Sequence, residues 1–516
     1  MSKNLRINKN NFIDQTTRIS FKFNGQQLFG YKGDTLASAL LANNIHLVGR
    51  SFKYHRPRGI MTCGSEEPNA IVQIGNDSSL TDPNVRATEI ELYEGLEASS
   101  QNCWPSVNFD IGGINNFLSP LLPAGFYYKT FMWPASFWEK YEYFIRHSAG
   151  LGKAPTKSDP DIYDHQYSHC DVLVVGGGIS GIISAKLSAE KGLDTFLIDD
   201  KNFLGGSTIY QENEAYKIND IYSNEWLAKE IKSLKNYPNL IIKNRTSLAA
   251  FHGYNYLLAR ENLTDHLSIS DRKNKIRQRL WKIRAKKVII ASGSIERPLI
   301  FSNNDRPGII LSSSIKKYID YYGVKTGENI SLFTNNDSAY ETAISLNKSG
   351  VKVNVIVDIR KNSESLIVKE ALDLGLKVLW ESTVVETQGY KKIKSFEVMK
   401  LSDDGNNVIG NKTKHNCDCL GISGGWTPMV HLFTQSGGKL KFRNEDNVFI
   451  PDQDKTPPNQ ISVGSCNGEF KLDEIVTRTI ENLKSFLDLS KTCYDEMKIN
   501  CPDEKSKRNI WLLPSD

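Results

Sequence analysis

Little in this sequence marks a membrane protein, a disulfide scaffold or a nucleic-acid binder. No stretch approaches the ~20 apolar residues that a bilayer span requires. The opening MSKNLRINKNNF is polar and has no apolar core, so it does not read as a secretory signal. Net charge is +5 over 516 residues and dispersed, too weak for a nucleic-acid footprint. Cysteine is sparse and scattered: only Cys417 and Cys419 stand close, as C-x-C rather than the C-x₂-C of a zinc or thioredoxin site. Most of the thiols are expected to be reduced and structural, in a cytoplasmic protein without a metal site. No Ser-His-Asp set, H-E-x-x-H or Walker loop is present, and His431, after Trp426-Thr427-Pro428, reads as a packed side chain. No catalytic base is legible.

What is present divides into about three domains at roughly 150 residues each. Residues 1–100 read as short strands around one helix. A strand-like run, Arg18 to Phe23, precedes a turn at Lys32-Gly33-Asp34 and an apolar helix capped by Asp34 or Thr35 that stops near Asn43-Asn44. This is the outline of a ferredoxin-type β-grasp domain. A plant-type [2Fe–2S] cluster needs C-x₄-C-x₂-C and a fourth cysteine, because thiolates hold the irons. The loop SFKYHRPRGIMTCGSEEP offers Cys63 alone, so the domain is expected to be a scaffold without a cluster. Residues 101–165 are dense in aromatics and interrupted by prolines. Such side chains bury against something, either another domain of this chain or a second subunit. GKAPTKSDPD then reads as an exposed hinge.

The strongest signal is DVLVVGGGISGIISAKLSAEKGLDTFLIDD. An apolar strand without alternation leads into Gly176, Gly178 and Gly181, a G-x-G-x-x-G turn. The three glycines serve the tight turn, the approach of a pyrophosphate and helix–strand contact. The helix N-terminus offers free N–H groups to the phosphates. Ile179, Ile183 and Leu187 share one helical face, and Gly192 suits its end. Asp199 closes the second strand, placed for a ribose 2′-OH and repelling a 2′-phosphate, so NAD or FAD is favoured over NADP.

KKVIIASGSIERP is a second buried strand ending in a glycine turn, where the chain leaves this first unit. ENISLFTNNDSAYETAISLNKSGVKVNVIVD repeats strand, turn, helix and strand, ending at Asp358, but its turn Thr334–Ser338 has no glycine. Its side chains are expected to obstruct a pyrophosphate. The chain returns through CDCLGISGGWTPMVHLF, and Ser465 stands where flavin enzymes of this outline carry an Asp. Both departures favour bound NAD over a working FAD. The expected fold is therefore α/β: two Rossmann-like dinucleotide-binding units behind a cluster-free, ferredoxin-like β-grasp domain. The boundaries read as 1–100 for the β-grasp domain and 101–165 for the aromatic segment. Residues 166–300 hold the first Rossmann part, 301–415 the second unit, 416–490 the return and 491–516 a C-terminal tail.

The blocks RSFKYHRPRGIMTCGSEEPNA, LSPLLPAGFYYKTFMWPASFWEKYE, SHCDVLVVGGGISG, ERPLIFSNNDRPGI, LFTNNDSAYETA and SGGWTPMVHLFTQSGGKL span nearly the whole chain. On them the sequence resembles the α subunit of heterotetrameric sarcosine oxidase. The resemblance implies NAD in this chain, FMN at the boundary with a β subunit and FAD within β. It implies further small subunits, and a complex that demethylates sarcosine to glycine, makes hydrogen peroxide and passes the one-carbon unit to tetrahydrofolate. It would place the pyrophosphate on Gly176, Gly178, Ser180 and Gly181, the adenosine ribose on Asp199 and Asp200, and Ser207 beside them. Leu248 would lie near the adenine and Ser465 at the nicotinamide end. In that family a folate-binding aminomethyltransferase-like domain follows a stretch like NIWLLPSD. Here the sequence ends at Asp516, so that domain is expected as a separate polypeptide or not at all. Alternatives are a subunit of a related N-methyl amino acid dehydrogenase, such as one for N-methylglutamate, or a stand-alone FAD/NAD(P)H-dependent reductase.

Overall fold

Asn24-Gly25 turns the chain between two strands, Asp14–Phe23 and Gln26–Lys32, with positive φ at both residues (51° and 78°), the hairpin geometry these residue types favour. The computed structural model describes residues 4–7, 12–121, 125, 133–148, 150–503 and 507–515, with the backbone alone for 144 and 146–148. The hairpin belongs to a five-stranded sheet whose order runs Gln26–Lys32, Asp14–Phe23, Leu96–Ser100, Ile71–Ile74, Asp82–Arg86. The helix Leu36–Ala42 packs on it with every residue buried. Thr35 is the cap: its hydroxyl accepts from the Ser38 N–H, and Ser38 Oγ accepts from the Thr35 N–H. This core continues into Tyr318, Tyr321, Tyr322 and Val324 of the second nucleotide unit, so the N-terminal domain is packed against it.

The first nucleotide unit places Leu240–Lys243, Thr195–Ile198, Ile162–Val175 and Ile276–Ile290 side by side and parallel, with Gln460–Ser462 outside the last. Only the end of Ile162–Val175, from Cys170, is the buried run read in the sequence. Its first half alternates exposed and half-buried residues while pairing with Ile276–Ile290. The helix Ile179–Glu190 is buried well beyond the face of Ile179, Ile183 and Leu187, because the helix Leu472–Leu487 joins the same core.

The second unit is a parallel sheet ordered Ile309–Leu311, Cys419–Ser423, Asn329–Thr334, Lys352–Asp358, Val378–Leu379, with helices Ser312–Asp320 and Ser338–Lys348. Cys417 and Cys419 are buried, Cys419 Sγ lying 3.3 Å from Thr326 Oγ1. The last residues bind both units. Ile499–Asn500 pairs with Lys217–Ile218 of the first, and Leu513 buries in the core of the second.

Among the described residues of the aromatic segment, several large rings did not turn inward. Phe117 and Trp133 are each 83% exposed, and Trp104 and Phe109 are exposed beside them. Part of the segment, 122–124 and 126–132, lies outside the described residues. No helix among the described residues is long and apolar enough to cross a membrane.

Candidate functional site

A cavity of about 890 Å³ opens at the glycine turn. Gly176 has φ +106°, and a Cβ there would lie 2.3 Å from the Ala291 carbonyl oxygen, so the turn demands glycine. A Cβ on Gly181 would lie 1.8 Å from the Gly176 oxygen, where the helix is pressed onto the strand end. Gly178 differs: nothing lies within 4 Å of where its Cβ would stand. Bare backbone at the start of a helix facing open space is the cradle a pyrophosphate needs. The residues present therefore fit a dinucleotide. At Gly206, itself at φ +56°, a Cβ would lie 3.1 Å from the Gly178 Cα, and Ser207 stands at the same rim.

Of the expected site residues, Gly176, Gly178, Ser180, Asp199, Asp200, Ser207, Leu248 and Ser465 line this one cavity; Gly181 supports it from behind. The Ser180 hydroxyl accepts from Thr479 Oγ1 at 3.1 Å. Asp199 accepts backbone N–H bonds from Gly177 (2.5 Å) and Lys201 (2.8 Å), which fixes the carboxylate under the turn. Burial, followed by the like charge of Asp200, pushes its carboxyl up to about 6. Asp200 is exposed and pairs with Lys201 Nζ at 2.9 Å. Beyond the turn the cavity runs past Ser292 to Glu296, where burial pushes the carboxyl up to about 7 against a bond from the Ser313 N–H (2.7 Å). It also reaches Glu341 of the second unit, which accepts from Gln211 at 3.0 Å and from Tyr216.

The second unit's own turn is filled. Asn335, Asn336 and Asp337 are buried. Asn336 Oδ1 accepts the Ser338 N–H at 2.9 Å, using the helix-start donor that a phosphate would use. Asp358, at the strand end where a ribose acid belongs, is fully buried against Arg360 and the Tyr340 hydroxyl. Arg360 also reaches Asp337 at 2.6 Å. The C-terminal segment lies across this turn: Arg508 donates its N–H to Asn335 O, and Asn335 Nδ2 donates to Ile510 O. Neither Arg360 nor Arg508 was singled out in the sequence: Arg360 pairs with Asp358 two residues before it and with Asp337 of the turn, and Arg508 arrives by the chain folding back.

The cluster loop of the N-terminal domain is also filled. Counting C-x₄-C-x₂-C from Cys63 lands on Pro68 and Ile71. Glu67 is 1% exposed. It accepts four backbone N–H bonds, from Met61, Thr62, Asn69 and Ala70 (2.7–2.9 Å), and a bond from the Thr62 hydroxyl. One internal carboxyl group gathers the donors of the loop. No group of three or more His, Cys, Asp or Glu that could hold a metal ion occurs among the described residues.

Residues 170–464, more than half of the chain, match the family model of the pyridine nucleotide-disulphide oxidoreductases. The chain belongs to that family. Residues 16–103 match a second model, the 2Fe-2S iron-sulfur cluster binding domain, although this stretch has only Cys63 and Cys103. Among curated relatives, the sarcosine oxidase subunit alpha of Rhizobium meliloti (strain 1021) is 41% identical over 453 residues, 86% of this chain and 43% of that protein. The subunit alpha of Corynebacterium sp. (strain U-96) is 31% identical over 508 residues, 98% of this chain and 47% of that protein. The chain is thus an oxidoreductase family member homologous to these subunits, and it spans about half of their length. The solved L-proline dehydrogenase from P. horikoshii shares the fold, with a TM-score of 0.60 at 18% identity over 97% of this chain and 80% of that one.

Proposed function

We propose that this chain is the NAD-holding α-type subunit of a sarcosine-oxidase-like complex and that the amine is oxidised in a partner subunit. The observation that carries the reading is the contrast between the two nucleotide turns: an open cradle at Gly178, and a turn closed by Asn336, Arg360 and the C-terminal segment. A reductase passing hydride from a nicotinamide dinucleotide to a flavin needs both compartments. The backbone of Gly176–Gly181 would hold the pyrophosphate, Asp199 the adenosine ribose, Leu248 the adenine side and Ser465 the far ring. A bound dinucleotide would supply redox capacity, while the chain positions it and shields it from water.

The exposed aromatics of residues 104–143 support the partner. An apolar surface of this kind is a docking surface for another protein. By homology with the α subunits, that protein is a flavin-bearing β subunit, with FMN at the shared boundary and FAD within β, accompanied by further small subunits. The reaction of the complex is then oxidative demethylation of sarcosine to glycine with hydrogen peroxide as the reduced product. The one-carbon unit goes to tetrahydrofolate on a folate-binding domain. The homologous alternative is a related N-methyl amino acid dehydrogenase.

The test is mass analysis of ligand released by heating the purified native material, together with identification of co-purifying chains. NAD in this chain and a flavoprotein partner are expected. A lone chain that releases FAD and oxidises NADH would replace this reading with the stand-alone reductase.

A further inference from the structure

Gln211, just after the short turn Thr208–Tyr210, lines the cavity. Its Oε1 is buried and has no hydrogen-bond partner among the described residues. Its Nε2 is engaged, donating to Glu341 Oε2 at 3.0 Å. The other oxygen of Glu341 accepts from the Tyr216 hydroxyl, so both oxygens of this carboxylate are bonded. An ionised carboxylate only accepts, and this decides the orientation of the amide. Nε2 faces Glu341, and the atom left over is an acceptor. Ser223 Oγ is also buried in the cavity wall without a partner, but a hydroxyl rotates and both donates and accepts, so it selects no ligand group.

A buried acceptor without a donor is costly unless a ligand or an ordered water supplies one. Gln211 stands where the two nucleotide units meet, since Glu341 belongs to the helix Ser338–Lys348 of the second. The residues assigned to the adenosine lie elsewhere in the first unit. Asp199 follows the strand Thr195–Ile198, and Leu248 is on Thr246–His252, the outer strand of its sheet. A dinucleotide held there by its adenosine, and at the glycine turn by its pyrophosphate, has its other half left for the junction. In NAD that half carries a primary carboxamide, whose N–H is the donor that Gln211 lacks.

We propose that Gln211 Oε1 accepts the carboxamide N–H of a bound nicotinamide, with Glu341 as the positioning residue that sets the amide. The proposal rests on the NAD reading above and names the side chain that selects the nicotinamide half.

Equilibrium titration tests this on the full chain, with its co-purifying subunits and freed of bound ligand. The probes are NAD, ADP-ribose and nicotinic acid adenine dinucleotide, which carries a carboxylate in place of the carboxamide. NAD should bind roughly tenfold more tightly than either of the others. Gln211→Met keeps the length of the side chain and removes the acceptor. It should bring NAD to the affinity of ADP-ribose, and leave ADP-ribose within about twofold of its value in the parent chain. Glu341→Gln keeps the shape of the contact but no longer dictates which end of the Gln211 amide faces the cavity, so it should narrow the preference for NAD in the same direction. It keeps the test available if Gln211→Met does not fold. Equal affinity of the parent chain for NAD and ADP-ribose, the acid binding as tightly as the amide, or a preference for NAD that survives both substitutions would overturn the role of Gln211 and leave the dinucleotide site standing. Failure of all three probes to bind would remove the NAD reading, and the role of Gln211 with it.

Discussion

Asp199 offers a pH test of the proposed dinucleotide site. Its carboxyl is raised from the ordinary 3.8 to about 6, first by burial and then by the Asp200 charge, against the backbone donors of Lys201 and Gly177. The sign follows from the folded value lying above the unfolded one. The stabilising contribution is fully present below 3.8 and is lost as pH rises through about 6. Keeping the group ionised at neutral pH therefore costs about 3 kcal/mol in the ligand-free fold. Ribose hydroxyls donating to the carboxylate offset part of that cost, so the ligand selects the ionised form. If only that form binds, the apparent Kd doubles at about pH 6 and rises roughly tenfold by pH 5. Equilibrium titration of the ligand-free chain with NAD from pH 8 to pH 5 at constant ionic strength reads this directly. Asp200→Asn removes the like charge and should move the midpoint to lower pH. Affinity that stays flat across the range, or a midpoint that moves upward in Asp200→Asn, would refute the role given to Asp199.

Other outcomes follow from the same geometry. Gly178→Val puts a branched side chain into open space at the helix start, so nucleotide content should be lost with little change in melting temperature; unchanged content removes the site assignment. Glu67→Gln replaces an acceptor of four backbone donors and should destabilise the N-terminal domain by about 1–3 kcal/mol, seen as faster hydrogen exchange across residues 61–70. Arg508 donates to the carbonyls of Ile359 (2.6 Å), Ser402 (3.0 Å) and Asp403 (2.7 Å), so Arg508→Ala should free the C-terminal segment to limited proteolysis. Cleavage there no faster than in the parent chain would show that Arg508 does not hold it.

The local devices were legible because they are written in adjacent residues. G-x-G-x-x-G reports its own backbone demand: Gly176 needs positive φ and Gly181 has no room for a Cβ. Thr35 is one of two residues that read as the cap of the first helix; the reciprocal bond with Ser38 is what the fold adds. Missing thiols in the loop after Cys63 count themselves. Asp199 could be placed at the strand end, but not its raised carboxyl, which depends on burial in the folded chain.

The sequence by itself determined the elements: two strand–turn–helix–strand units, a capped apolar helix, one turn bare enough for phosphate and one crowded with side chains. Tertiary structure alone decided what fills the gaps those elements leave. It brought Arg508 from the C-terminal segment onto the second turn, aimed the Glu67 carboxylate into its own loop, and set Lys317 in the wall of the same cavity as Cys63. Electrostatic partners of that kind are separated by up to hundreds of residues, and neither helical period nor strand alternation carries information across such distances.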